Sequence, residues 1–268
     1  MTSWLQGPLL GFDTETTGVD VATDRVVSAA LVRRDGAGTS TRTWLLDPGV
    51  DIPAAATAIN GITTEHARAH GAAPAAALEE IAAEIAAAQA DGVPLVAYNA
   101  AYDLALLDHE LARHGRPSLA ERLPGALVVL DPLVLDRHVD GARRGPRKLV
   151  DLCQLYLVPT GELHTAEVDV VATLDLLAEM AGRHPRLAAA TPTQLHATQV
   201  AAHQEWARSY NRWRARRALP WPGADRGWPL PERPSRGTLL VRRLVWSAHR
   251  VGGAPHRLVR RRRQRREE

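Results

Sequence analysis

The stretch LLGFDTETTG, residues 9–18, ends an apolar run in two carboxylates, Asp13 and Glu15. Side chains alternate along a strand, so these two share a face and Thr14 turns to the other. Carboxylates crowded at a strand end repel one another unless a cation or a proton lies between them. Either the strand simply reaches solvent there, or the pair holds something positive. A second acid, Asp103, falls in VAYNAAYDLALL, in the first turn of a helix that follows a strand ending at Tyr98-Asn99. The helix dipole alone would favour an acid at that place. A third group is LHTAEVDVVATLDLL, in which His164 and Asp169 stand five apart. Five residues turn a helix by about 500°, which leaves the two about 140° apart. They converge only if His164 precedes the helix and Asp169 lies in its first turns, a bend that Gly161 would permit. Capping by His164 and the dipole at Asp169 account for that pair as well as a site would, and the dipole alone suffices for Asp103, so each group by itself is ambiguous.

The elements that must position them follow from pattern. PLLGFD reads as a buried strand, and RVVSAALVRR and STRTWLLD as the next two, joined by the turn RDGAGT. Connections this short predict an antiparallel meander. IPAAATAINGITTEHARAHGAAP reads as irregular, with a helix start at TTEH. PAAALEEIAAEIAAAQADG has helical spacing, with Pro74 near its start and Gly92 past its end. VPLVAYN is a strand, AAYDLALLDHELARHG a helix closed by Gly115, and ALVVLDP a strand stopped by Pro132. KLVDLCQLYL and HTAEVDVVATLDLLAEMAG are two more helices. Hairpin strands followed by helix-strand alternation predict an α/β fold, a mixed sheet flanked by helices. The first and fourth strands are then central neighbours, and ligands gather where connectivity changes direction.

The body is expected to end near residue 182. Residues 183–234 read as an extension, a long helix TPTQLHATQVAAHQEWARSYNRWRARRAL followed by Trp/Pro-rich coil. On that helix Trp206, Tyr210 and Trp213 occupy one face. Packing of that face on the domain is the expected role, with base stacking and phosphate contacts from the neighbouring arginines as the other. Residues 235–268 read as a basic, disordered tail. From Glu232 onward there are twelve arginines against three glutamates, a net of +9, which leaves −6 for the rest of a chain of net +3. Such a tail would add salt-sensitive, sequence-independent affinity for nucleic acid. The single cysteine, Cys153, excludes an intramolecular disulfide and reads as a packing residue. No apolar run reaches the length of a membrane span, and the N-terminus lacks the pattern of a secretory signal. A reducing, bacterial cytoplasmic setting, with nucleoid association open, is the expectation. Asp108, Asp131, Asp136 and Asp175 read as surface or cap residues, and His109, His114, His138 and His184 as exposed.

Taken together, FDTETTG, NAAYD and HTAEVD recur in one order, and in that order the chain resembles the DEDDh, or DnaQ-like, branch of the DEDD exonucleases. The likeness covers roughly residues 8–182, and FDTETTG, its strongest single piece, is close to the bacterial polymerase III proofreading subunits. INGITTEH and LDPL also resemble segments of that family. Val170 is a small departure, where many relatives have alanine. The resemblance implies an RNase H-like, five-stranded exonuclease domain over residues 1–182. It implies that Asp13 bridges two divalent ions, that Glu15 and Asp169 complete the first ion's shell, that Asp103 serves the second, and that His164 is the general base. By analogy Thr14 and Thr16 lie against the terminal nucleotide; Asn99 either approaches the site or is a turn residue. Mg²⁺ or Mn²⁺ suits a shell of hard carboxylate oxygens, whereas thiolates or imidazoles would favour zinc. The expected function is metal-dependent 3′→5′ hydrolysis of DNA from single-stranded 3′ ends, in proofreading or repair, with a DNA polymerase subunit as a possible partner. The alternatives are a ribonuclease of the same superfamily, or a non-catalytic nucleic-acid- or polymerase-binding module. Retention of all five groups argues against the last.

Overall fold

Strand β1 (Leu9–Thr16) shows the alternation that organises the molecule. Leu10 and Phe12 enter one apolar cluster, and Leu9 enters another on the opposite side. The computed structural model describes residues 4–123, 125–161, 164–220 and 223–231. In it β1 pairs antiparallel with β2 (Val26–Asp35), which turns through Gly36-Ala37 into antiparallel β3 (Gly38–Leu45). On its other side β1 pairs parallel with β4 (Leu95–Val96), and β4 with β5 (Val129–Leu130). The sheet order is β3-β2-β1-β4-β5, so the first and fourth strands are neighbours as their connectivity predicted.

Helices cover both faces. α3 (Pro74–Ala90) and α4 (Ala100–Arg113) pack with Leu10, Phe12, Ala29 and Leu31. α6 (Pro132–Val139), α7 (Leu149–Tyr156) and α8 (Ala166–Arg183) pack with Leu9, Ala30, Val32 and Leu130. Cys153 is fully buried in that second cluster. The segment read as irregular contains α1 (Ala54–Asn60), closed by Gly61 at φ 73°, and α2 (Thr64–His70). Thr63 caps α2 by accepting the His66 N–H, in keeping with the TTEH reading. A short α5 (Leu119–Arg122) lies between α4 and β5. Two readings are corrected here. β4 and β5 form ladders of only two residues, because Asn99 turns the first chain away at φ 57°. Pro132 also does more than stop a strand: it opens α6, with Asp131 as N-cap, because the missing N–H of proline is harmless at a first helical position.

Beyond α8, a short α9 (Pro185–Ala189) leads to α10 (Pro192–Arg216), capped by a Thr191–Gln194 capping box. α10 supplies polar partners to the outer edge of β5. Gln199 accepts the Asp131 N–H at 2.7 Å and donates to the Val129 carbonyl at 2.9 Å, while His196 Nδ1 accepts the Val129 N–H at 3.1 Å. Side chains thus occupy the row of donors and acceptors that an open edge would expose. The coil after α10 folds back along it: Asn211 exchanges two hydrogen bonds with the Ala224 backbone, and Trp228 is buried beside His196. The buried stripe of α10 is Leu195, Gln199, His203 and Ala207 rather than the aromatic face, which lies one step round the helix. The basic tail and its expected disorder lie outside the described residues.

One close approach holds α8 on the sheet. Gly11 faces α8, and a Cβ built there would stand 2.3 Å from Val170 Cγ1 and 3.2 Å from Leu174. Val170, the residue that departs from the family pattern, therefore occupies the space a side chain at position 11 would need. Overpacking of this kind costs about 1–3 kcal/mol. We expect Gly11→Ala to lower the melting temperature by roughly 3–10 °C, because α8 must move to make room. Adding Val170→Ala should recover a large part of the loss; strictly additive losses in a thermal-shift measurement would refute this account.

Candidate active site

The acids converge because three elements end at one place. Asp13 and Glu15 continue the face of β1 that begins with Leu9 and Gly11 and meets α8. Asp169 stands in the first turn of α8, its N–H held by the Thr165 carbonyl at 3.0 Å. One carboxylate oxygen from each of Asp13, Glu15 and Asp169 lies within 4.8 Å of the others. A divalent ion takes carboxylate oxygens at about 2.0–2.6 Å, so these three are within reach of a single ion.

Asp103 arrives from the opposite face. The parallel ladder between β1 and β4 stops at Gly11 and Val96, so the next β4-facing N–H of the strand end, that of Thr14, has no strand opposite it. Asp103 fills the gap: its Oδ1 accepts the Thr14 N–H at 3.2 Å and the Thr14 hydroxyl at 2.6 Å. Thr14 does turn away from its two acidic neighbours, and both its polar groups are spent on Asp103. Thr16 donates to the Gly18 carbonyl at 2.7 Å and receives the Tyr102 hydroxyl at 3.0 Å. Asn99 gives its N–H to Asp131 at 3.1 Å.

His164 precedes α8, with φ 93°, and is exposed; Thr165 is the N-cap. Its backbone N–H donates to Asp169 Oδ1 at 3.2 Å, so position 164 reaches Asp169 through its main chain. Sequence reasoning passed over two other residues. Asp131, read as surface or cap, is a cap but is 1 % exposed. It accepts the N–H groups of Asn99, Ala100 and Leu133, and so pins the start of α4, which carries Asp103. The signal was an aspartate directly before a proline at a helix start. Asp136 is wholly buried, paired with Arg143 and Arg147, and takes no part in the site.

Electrostatics follow from this crowding. Burial, then Asp103, Asp169 and Glu15, raises the Asp13 carboxyl well above its ordinary value. Burial and then Asp169 raise Glu15 to about 7. Burial raises Asp103 to about 7 against the opposing hydrogen bonds from Thr14. Asp169 is raised by burial, with the His164 N–H acting the other way. Among the described residues no arginine or lysine forms an ion pair with any of the four. The site is a set of hard oxygen donors of the kind a divalent cation accepts.

The sign of the pH dependence follows. Between about pH 4.5 and 7 the folded, metal-free protein keeps protons that the unfolded chain has released. Unfolding then releases protons, so stability falls as pH rises through that window. Glu15 is partly exposed, and solvent screens some of its share. We expect a fall in melting temperature on the order of 5 °C from pH 5 to 8 in EDTA. Because ligands must be deprotonated to bind a metal, Mn²⁺ should stabilise more at pH 8 than at pH 5. A melting temperature in EDTA that rises over this range, with no response to Mn²⁺, would contradict the assignment.

The exonuclease family model, RNase T, matches residues 10–177. Among curated proteins the chain is 35% identical over 170 residues to a DNA polymerase III subunit epsilon-like protein of Rhodobacter capsulatus, covering 61% of this chain and 22% of that one. It is 28% identical over 167 residues to the PolC-type DNA polymerase III of Lacticaseibacillus paracasei, covering 62% and 11%. The chain therefore spans less than a quarter of the length of these relatives. Among solved structures, Escherichia coli exonuclease I in complex with a dA16 oligonucleotide superposes with a TM-score of 0.58 at 24% identity, covering 68% of this chain and 42% of that one. That likeness is one of fold.

Proposed function

Since the chain belongs to the exonuclease family of RNase T type, we propose that it acts as a DnaQ-like 3′→5′ enzyme, removing nucleotides from the 3′ end of DNA with the help of Mg²⁺ or Mn²⁺. The observation that carries this is the meeting of Asp13, Glu15 and Asp169 within 4.8 Å, with no arginine or lysine paired to them among the described residues. The named relatives are DNA polymerase III proteins, which supports DNA over RNA and a polymerase as partner.

In this reading Asp13, Glu15 and Asp169 would hold one ion, and Asp103 would serve a second. Two such ions would activate a water, neutralise the scissile phosphate and stabilise the departing 3′ oxygen. His164 takes the proton from the attacking water; a histidine can do so near neutral pH. Its exposed position before α8 leaves it free to approach the substrate. Thr14 holds Asp103 in register, and Asp131 holds the helix that carries Asp103. Thr16 and its neighbours line the way to the terminal nucleotide. No helix among the described residues is long and apolar enough to cross a membrane.

The test uses single-stranded DNA and RNA labelled at either end, with Mg²⁺, Mn²⁺ or EDTA. A 5′-labelled DNA strand should shorten step by step, a 3′ label should be released at once, and EDTA should stop both. Faster loss of the RNA would move the assignment to a ribonuclease. Binding without hydrolysis under every condition would leave a non-catalytic module.

A further inference from the structure

Three aromatic side chains on α10 form a continuous stack. Trp206 and Tyr210 lie 5.3 Å apart at 13°, and Tyr210 and Trp213 5.7 Å apart at 20°. The Arg137 guanidinium closes one end, 4.0 Å from the Trp206 ring, and Arg217 the other, 4.7 Å from Trp213. The sequence left these rings two roles, packing first and base stacking second; Trp206 and Tyr210 are half-buried and Trp213 is 42% exposed. Residues 206–217 hold five arginines and no acid. Among the described residues none of Arg208, Arg212, Arg214, Arg216 and Arg217 forms an ion pair.

The place of this stack is fixed by the way α10 docks. His196 meets Val129, and Gln199 meets both Val129 and Asp131, so helix and strand run in the same direction. β1, β4 and β5 are parallel, and the acids gather at their C-terminal ends. The second half of α10 therefore projects past that same end of the sheet. At 1.5 Å per residue Trp213 lies about 21 Å beyond Gln199 along the helix. Arg137 joins the two regions: its charge acts on Asp131 and Tyr98, at the ends of β5 and β4, while its guanidinium covers Trp206.

We propose that the Trp206–Tyr210–Trp213 stack and its arginines bind the single-stranded DNA that trails from the 3′ end held at the acids. This rests on the exonuclease reading above and adds a second contact region to it. The chemistry matches the ligand. Arginines on a projecting helix meet phosphates, and flat aromatic rings meet bases without regard to sequence. Arg217 over the exposed Trp213 is no obstacle. Removing a base–aromatic stack weakens binding roughly 5- to 150-fold, whereas an exposed cation–π contact is worth roughly 2- to 5-fold. A base therefore displaces the guanidinium, which is freed for a phosphate. The negative body of the enzyme would repel the trailing strand, and this surface counters that repulsion where the strand leaves the site.

The experiment is fluorescence anisotropy of the full chain with a 5′-labelled oligo-dT of about 20 nucleotides in EDTA, beside steady-state kinetics on that strand and on a dinucleotide. Trp213→Ala should weaken binding of the long strand about 10-fold, while Trp213→Phe stays within about 3-fold of wild type because a ring remains. KM for the long strand should rise in parallel, with kcat held. Arg212→Ala and Arg217→Ala should each reduce the dependence of log affinity on log salt by about 0.7. Unchanged affinity in Trp213→Ala, with an unchanged melting temperature, would overturn the proposal. So would a wild-type dimer that the same substitution dissociates, since a second copy would then occupy the stack. Should the wild type hydrolyse nothing, the activity assignment fails while the anisotropy still decides this one.

Discussion

Asp13→Asn is expected to lower turnover about 10³-fold and, at the same time, to raise the melting temperature of the metal-free protein. The two effects have one cause. Asp13 lies among Glu15, Asp103 and Asp169, and all four carboxyls are shifted upward. Asparagine has nearly the same shape and removes one negative charge, so repulsion falls and the apo protein gains stability. What is lost is the charge that would attract a divalent ion. Metal ions contribute several kcal/mol of charge stabilisation in the transition state, and each 1.4 kcal/mol is tenfold in rate. Thermal shift with and without Mn²⁺, beside a turnover assay, reads both effects. A variant that is destabilised and fully active would refute the site.

His164 is expected to behave in the opposite way. Replacing it should leave the stabilisation by Mn²⁺ nearly intact and cost roughly 10²-fold or more in turnover, the usual contribution of a general base. The separation is possible because only the backbone N–H of His164 touches Asp169, and any residue retains it. The positive φ at this position strains most L-residues, and asparagine tolerates it best, so His164→Asn is the cleaner companion to His164→Ala. The loss should fall on kcat. Turnover near that of wild type in both variants would remove His164 from the mechanism.

Much of this was legible because it is local. The period-two pattern of LLGFDTET set Asp13 and Glu15 on one face of β1, and Thr14 on the other. Tight turns between the first three strands required the antiparallel meander, and Pro, Gly and Thr marked the ends of α2, α3 and α10. The order of the acidic motifs carried the family. α1 and α6 were missed because their sequences are short and lie beside proline, where strand ends and helix starts look alike.

What the tertiary structure alone decided is who faces whom. Asp131 before Pro132 marks a cap of α6, but nothing near it says that it would be buried and also hold the first turn of α4. Nothing near Asp103 says that its partner is a strand N–H left bare by an early end to β4. Gly11 and Val170 are separated by most of the domain, and only docking of α8 on β1 makes the size of one depend on the absence of a side chain on the other. The aromatic residues of α10 share a face by periodicity, but which face is buried depends on Gln199 and His196 finding the edge of β5. Short-range geometry follows from backbone sterics and repeats along the chain, so it can be read from neighbours in sequence. Burial, charge crowding and edge pairing depend on surfaces brought together by the whole fold, and no local pattern records them.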